Sequence, residues 1–397
     1  MRLAALLAAA AAALGAALLG GALREGGPAR PDAAERVALR GLALQQQARA
    51  TGDPSLYPRA ERELRAALAL DPRNAAAVRG LAALAGSRHR FAESLALAER
   101  ARRLEPHVAA VYGLIGDASL ELGRYEQAFT AFDRMARLRP SANAYARISY
   151  ARELRGDVRG AIAAMELAVD ASIGAAEPSA WSRTLLAGLL AADRRPARAA
   201  RLYREALLFV PGYPAALGGL AGLASAKGDR RTAIRLYRRA AAAPVPELAA
   251  ALGDELQRAG RVREAERAWA RAEALERLFA RNGGRNLLET AEFDLNHDRN
   301  LRSALDRARR GRAERPSVEG DHVLAWALYK NGRCAEARRV SLRSFRLGTL
   351  DVDGLYHHAL IEECLGNEAG AARYRARVEA LAPGYLERAP SARRLRA

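Results

Sequence analysis

Pro72, Pro106 and Pro140 stand 34 residues apart, and each closes a stretch of the same pattern, the clearest being "LGRYEQAFTAFDRMARLRP" from Leu122 to Pro140. A fixed interval of this length admits few folds, because a unit so short cannot bury its apolar face alone and must stack on its neighbours. The unit that starts at Ala109 has small residues at places 8 and 20 (Gly116, Ala128), a large one at 24 (Phe132), Met135 at 27 and Pro140 at 32. The unit before it has Ala82, Ser94, Ala98, Ala101 and Pro106 at those places. Two antiparallel helices approach closely only where a small residue faces the partner and a large one fills the gap beside it. Gly123 lets the chain turn between the helices, and Pro140 stops the second.

The same grammar runs forward. Gly156, Ala161, Met165 and Ala168 repeat it, as do Gly253, Gly260, Ala265, Trp269 and Ala272, and further units end near Pro211 and turn near Gly228, Gly332 and Gly366. About ten units are expected, the first (Gly41 to Pro72) and the eighth (near Arg285 to Pro316) being the least regular. This pattern resembles the tetratricopeptide repeat, and with "YARISYARELRGD", "FDLNHD" and "LAWALYKNGR" it is similar to bacterial exported proteins of that family. The resemblance implies an all-α fold, an α-solenoid of about ten helix-turn-helix repeats forming a right-handed superhelix, and a mode of working without naming a reaction.

The expected organisation is an N-terminal export element at 1–23, a linker at 24–36, a repeat block at 37–282, an irregular repeat at 283–317, a C-terminal repeat pair at 318–384 and a basic tail at 385–397. No charge occurs from Leu3 to Leu23, and Gly20 and Ala22 have the small-residue spacing that a signal peptidase reads. The seven leucines of that run favour insertion by roughly 2–4 kcal/mol, which the glycines erode. A cleaved signal peptide and a retained single anchor both fit, and either sends the repeats to the cell envelope or beyond it. The formal charge of +19 is carried by arginine, since Lys227 and Lys330 are the only lysines. The arginines fall on second helices, as in "DRRTAIRLYRRAA", which face outward as a solvated surface or one that meets an anionic membrane or envelope polymer.

In the resembling family the first helix of each unit lines the concave surface. The inward places then carry Arg79, Asp117, Asn143, Tyr150, Glu153, Trp181, Thr184, Glu247, Asp254, Gln257, His322, Trp326, Tyr329, Asp353, Tyr356 and Glu363. This lining is acidic and aromatic, with Arg79 almost its only base, so a nucleic acid there would meet its own sign of charge. The expected peptide-binding groove is Tyr150, Glu153, Trp181, Asp254, His322, Trp326, Tyr329, Asp353, Tyr356 and Glu363, taking an extended segment with Arg or Lys beside an apolar residue. The rival reading of Trp326, Tyr329 and Tyr356 is core filling the junction after the eighth unit.

Chemistry-bearing motifs are scarce: no P-loop, dinucleotide turn, HExxH or GxSxG occurs. His358 and Glu362 share a helix face in "HHALIEEC" beside His357, and a metal would need a further ligand such as His322. "FDLNHDRN" reads as a polar loop whose Asp294, Asn296, His297 and Asp298 cap helices or hold a cation. Cys334 and Cys364 fall where antiparallel packing brings two helix ends to one side, and either bridge or stay as buried thiols. The sequence therefore points to a non-enzymatic scaffold that binds a protein or peptide, without cofactor, metal or nucleic acid. The alternative is a metal-dependent enzyme using the His-rich C-terminal region.

Overall fold

The computed structural model describes residues 32–388. The apolar run at 1–23, most of the linker and the basic tail beyond residue 388 lie outside the described residues. No helix among the described residues is long and apolar enough to cross a membrane.

Ten antiparallel helix pairs follow one another, with no strand among the described residues. The first five are α1 (Ala33–Thr51) with α2 (Tyr57–Leu70), α3 (Ala75–Ser87) with α4 (Phe91–Leu104), α5 (Ala109–Glu121) with α6 (Tyr125–Leu138), α7 (Ala142–Leu154) with α8 (Val158–Asp170), and α9 (Ala176–Ala192) with α10 (Pro196–Phe209). The next three are α11 (Pro214–Ala226) with α12 (Arg230–Ala240), α13 (Pro246–Arg258) with α14 (Val262–Arg281), and α15 (Leu287–Asn296) with α16 (Leu301–Glu314). The last two are α17 (Val318–Lys330) with α18 (Cys334–Ser344) and α19 (Val352–Cys364) with α20 (Glu368–Leu381), followed by the short α21 (Tyr385–Arg388).

The small-to-large rule of the repeat is visible in the packing. A Cβ on Gly116 of α5 would overlap the Phe132 ring of α6, and one on Gly253 of α13 would overlap Trp269 of α14. Both aromatics are buried, Phe132 at 1% exposure. The first helix starts at Ala33, inside the stretch read as linker, because Asp32 Oδ1 accepts the Glu35 N–H at 2.7 Å and caps it. The irregularity assigned to the eighth unit begins one helix earlier. α14 has 20 residues where the other second helices have 11 to 14, an overhang of about two turns. "FDLNHDRN" is correspondingly not a loop throughout: Phe293–Asn296 is the last turn of α15.

The superhelix closes on itself. The turns inside units one to four meet the turns that join units six to ten, through contacts spanning 192 to 221 residues of sequence. Pro244 lies against Gly52, the Arg285 N–H donates to the Arg88 carbonyl at 3.0 Å, the Val318 N–H donates to the Tyr125 hydroxyl at 2.6 Å, and the Thr349 hydroxyl donates to the Leu154 carbonyl at 2.6 Å. Gly123 and Gly156 have φ of 69° and 74°, and a Cβ on either would meet the carbonyl of Pro316 or Gly348, so left-handed backbone and close approach both require glycine. Leu120, Tyr125, Phe129 and Leu154 form an apolar strip under this seam, with Val318 and Leu347 packed on it.

Candidate functional site

Closure converts the concave face into a central cavity of about 890 Å³, walled by units one to five on one side and seven to ten on the other. Its wall is built mainly from first helices, as the repeat geometry requires. Tyr57, Phe91, Tyr125 and Arg307 reach it from second helices, and so does the overhang of α14, whose last turns carry Glu273, Glu276 and Phe279 along the wall.

Carboxylates dominate the chemistry of the wall. Glu247 of α13, Glu276 of α14 and Glu289 of α15 come close enough for their charges to interact. Burial pushes Glu276 up to about 8, with the Glu247 charge adding to it and a hydrogen bond from Asn286 opposing it. Glu247 is open to the cavity yet enclosed by the protein around it, and that enclosure, with the Glu289 charge, raises its pKa. Glu289 behaves oppositely: burial works against its charge, and Arg315 with His89 outweighs burial and holds its pKa low. Arg315 is the seam's centre, joining Glu289 on one side and Glu121 at 2.8 Å on the other.

The expected groove residues separate into three groups. Tyr150, Trp181, Asp254 and Asp353 are on the cavity wall. Glu153 adjoins them in a small hollow beside Tyr150, and burial, with the Asp351 charge, pushes it up to about 7. Burial likewise raises Tyr150 well above its ordinary value, helped by Glu121 and Glu153. Asp254 accepts hydrogen bonds from the Trp269 indole at 3.0 Å and lies 2.9 Å from His297 Nε2. Burial opposes protonation of His297, but the Asp254 hydrogen bond and charge prevail and raise its pKa.

His322, Trp326, Tyr329 and Tyr356 belong to the C-terminal core instead, at 5 to 9% exposure. His357 stacks flat on Trp326 with ring centres 3.6 Å apart, and the Trp326 N–H donates to Asn296 at 3.0 Å. α21 folds back to set Tyr385 edge-on against Tyr356 while its hydroxyl donates to Asp353. Glu363 is exposed and paired with Arg375. Arg79 pairs with Glu105, while the cavity wall carries Arg49, Arg147 and Arg315, so bases are more numerous there than the sequence places indicated. Arg147 forms a two-pronged pair with Asp117 at 2.8 and 2.6 Å.

The two candidate metal motifs are occupied by protein partners. His358 is fully buried, its Nδ1 2.9 Å from the Ser341 hydroxyl and its Nε2 3.2 Å from Glu362, which Arg338 and Asn367 also hold. Asp294 takes Arg307 and Asn300. Among the described residues no group of three or more His, Cys, Asp or Glu side chains is placed to hold a metal. Cys334 and Cys364 are joined in a disulfide, with Cα atoms 6.2 Å apart.

Sequence reasoning missed Glu276, Glu289, Glu121 and Arg315. Only Glu276 had a signal, the lengthened interval before the eighth unit. With ten pairs in register and Gly116 and Gly253 seated against their aromatics, the packing shows the fold. The chain is an all-α solenoid of helix pairs similar to tetratricopeptide repeats. No protein-family model matches this solenoid, and no curated protein does. Solved structures similar to it include a thermophilic tetratricopeptide protein of Thermus thermophilus, TTC0263, at 21% identity over 45% of this chain and 92% of that one, with a TM-score of 0.40. The Cut9 and Hcn1 hetero-tetramer of the APC/C is similar at 17% identity over 98% and 82%, TM-score 0.41. The human IFIT1 dimer bound to PPP-AAAA is similar at 12% identity over 94% and 95%, TM-score 0.47.

Proposed function

We propose that this solenoid is a non-enzymatic binding protein whose central cavity takes an extended, cationic segment of a protein partner at the cell envelope. The observation that carries the reading is the group of Glu247, Glu276 and Glu289 on three successive helices of one wall, of which Arg315 neutralises Glu289 alone. Enclosure by protein raises the first two, so their charge is costly there, and a guanidinium or ammonium group between them removes that cost. Phe279 on the same wall and Trp181 on the opposite one add aromatic surface, which suits an apolar neighbour of the cationic residue and attracts the cation as well.

Fluorescence anisotropy with a labelled nine-residue peptide alternating Arg and Leu tests this. The peptide should bind, more weakly as salt rises, and Glu247→Gln with Glu276→Gln should weaken it at least tenfold. Equal binding of a Glu and Leu counterpart, or stronger binding of a nine-nucleotide single-stranded RNA, would overturn the reading. The envelope location rests on the uncharged run from Leu3 to Leu23. An alkaline-phosphatase reporter fused after residue 40 should be active outside the cytoplasm, and activity of a cytoplasmic reporter alone would refute export.

A further inference from the structure

We infer that the chain's own segment 389–397 folds back into the C-terminal end of the cavity, sets Arg393, Arg394 and Arg396 among the carboxylates there, and so competes with the partner segment. The competition rests on the reading of the cavity as a partner's site; the docking does not.

The fold delivers this segment to the cavity. α21, which precedes it directly, is anchored by Tyr385, whose hydroxyl donates to Asp353 on the cavity wall, and by Leu386, which packs on the C-terminal core. The helix ends at Arg388, within one turn of that anchor. Nine extended residues reach up to about 30 Å, roughly three times the spacing of packed helices. From unit ten that length crosses α17 and comes to α15, which carries Glu289. A cavity of about 890 Å³ has the size that encloses one drug-sized ligand, so two extended segments do not fit in it together.

The chemistry of the C-terminal end matches the segment. Asp353 is joined there by Asp351 at the N-cap of α19, Glu319 of α17 and Glu153 of α7. Asp351 acts electrostatically on Glu153, and Glu153 and Glu319 both act on Tyr150, so these carboxylates form one group. Glu153 has no cationic partner among the described residues. The segment reads "APSARRLRA", with three arginines, no acid, and Leu395 between two of the arginines. Guanidinium groups suit enclosed carboxylates, and Tyr150, Leu154 and Val318 offer Leu395 an apolar wall. Attachment to the same chain holds such a ligand at an effective concentration on the order of millimolar, so modest contacts suffice to seat it.

Photocrosslinking in the full chain tests the docking. Irradiation of Leu395→p-benzoylphenylalanine should give adducts within one molecule, on peptides from α7 and α17. Adding Arg393→Glu, Arg394→Glu and Arg396→Glu should cut their yield at least fivefold. The same three changes with Leu395 retained should tighten the labelled Arg and Leu peptide at least fivefold, since the cavity then loses its internal competitor. Adducts on the outer helices, adducts only between molecules, or a yield indifferent to the three changes would overturn the inference. Equal peptide affinity with and without the three changes also overturns it, and leaves the cavity standing as a partner's site. Cavity adducts that depend on the arginines, with no peptide bound by either form, would uphold the docking and overturn the partner reading instead.

Discussion

Arg315 and Glu121 are 194 residues apart in the chain and 2.8 Å apart in space. The guanidinium also reaches Glu289, so one side chain ties the third, eighth and ninth units together across the seam. Both carboxylates lie on the cavity wall, and burial works against Arg315 itself until their charges raise its pKa above the ordinary value.

Arg315→Ala should destabilise the protein by about 3 kcal/mol in urea unfolding, since it strands two enclosed carboxylates. The combination of Glu121→Gln, Glu289→Gln and Arg315→Met should recover most of that loss. Small-angle scattering should register an increase in radius of gyration for Arg315→Ala alone, and an unchanged radius together with a loss below about 0.5 kcal/mol would show that the seam holds without it.

Gly116→Ala should cost about 1–3 kcal/mol, because the new methyl group must displace the buried Phe132 ring. Adding Phe132→Leu should return part of the stability if the clash is the cause. Greater loss in the double variant than the sum of the singles would contradict it.

Stability should fall as pH rises from about 4.5 towards about 8, in proportion to the contribution of Glu276. Its folded pKa is raised, so the unfolded chain releases this proton first and the folded form is penalised once the pH passes both values. Glu276→Gln should match wild type near pH 4 and exceed it near pH 9 by on the order of 1–2 kcal/mol, a figure reduced for water in the cavity. Parallel melting curves from pH 4 to pH 9 would refute it.

Thiol titration of the denatured, unreduced protein should find no reactive thiol, and reduction should destabilise the last two units by about 3–4 kcal/mol for a loop of 30 residues. Hydrogen exchange localises the effect, which should be confined to α18–α20. Protection lost evenly along the chain would argue against a local clamp.

Trp326→Ala should lower stability by about 3–5 kcal/mol, as loss of a core aromatic does. A change of under 1 kcal/mol would return Trp326 to the binding surface.

The unit count and the pairing of helices were legible because packing places recur at a fixed interval, and Gly116 with Phe132 states the rule within one unit. Trp326 shows where that rule ends. Its place in the unit points inward, but His357 and the Asn296 acceptor complete a core there, and neither follows from the repeat. Closure was illegible for a different reason. It arises from small rotations accumulated over six units, and His89 meeting Arg285 or Arg315 meeting Glu121 leaves no trace at any local spacing. The α14 overhang lay between these cases: its length was in the sequence, and its direction into the cavity was not.

The seam also decides what can get in. An open solenoid receives a loop from the side, with folded domains left on either flank. Here successive turns of the superhelix touch, so if the cavity takes a peptide as proposed, a loop so flanked is shut out and a free chain terminus must be fed in end-on. Unless the Arg315 junction parts, arrival and departure are governed by the length of tail that must be threaded rather than by the strength of grip. A ligand with bulk at both ends would, once inside, be held as a bead is held on a knotted string.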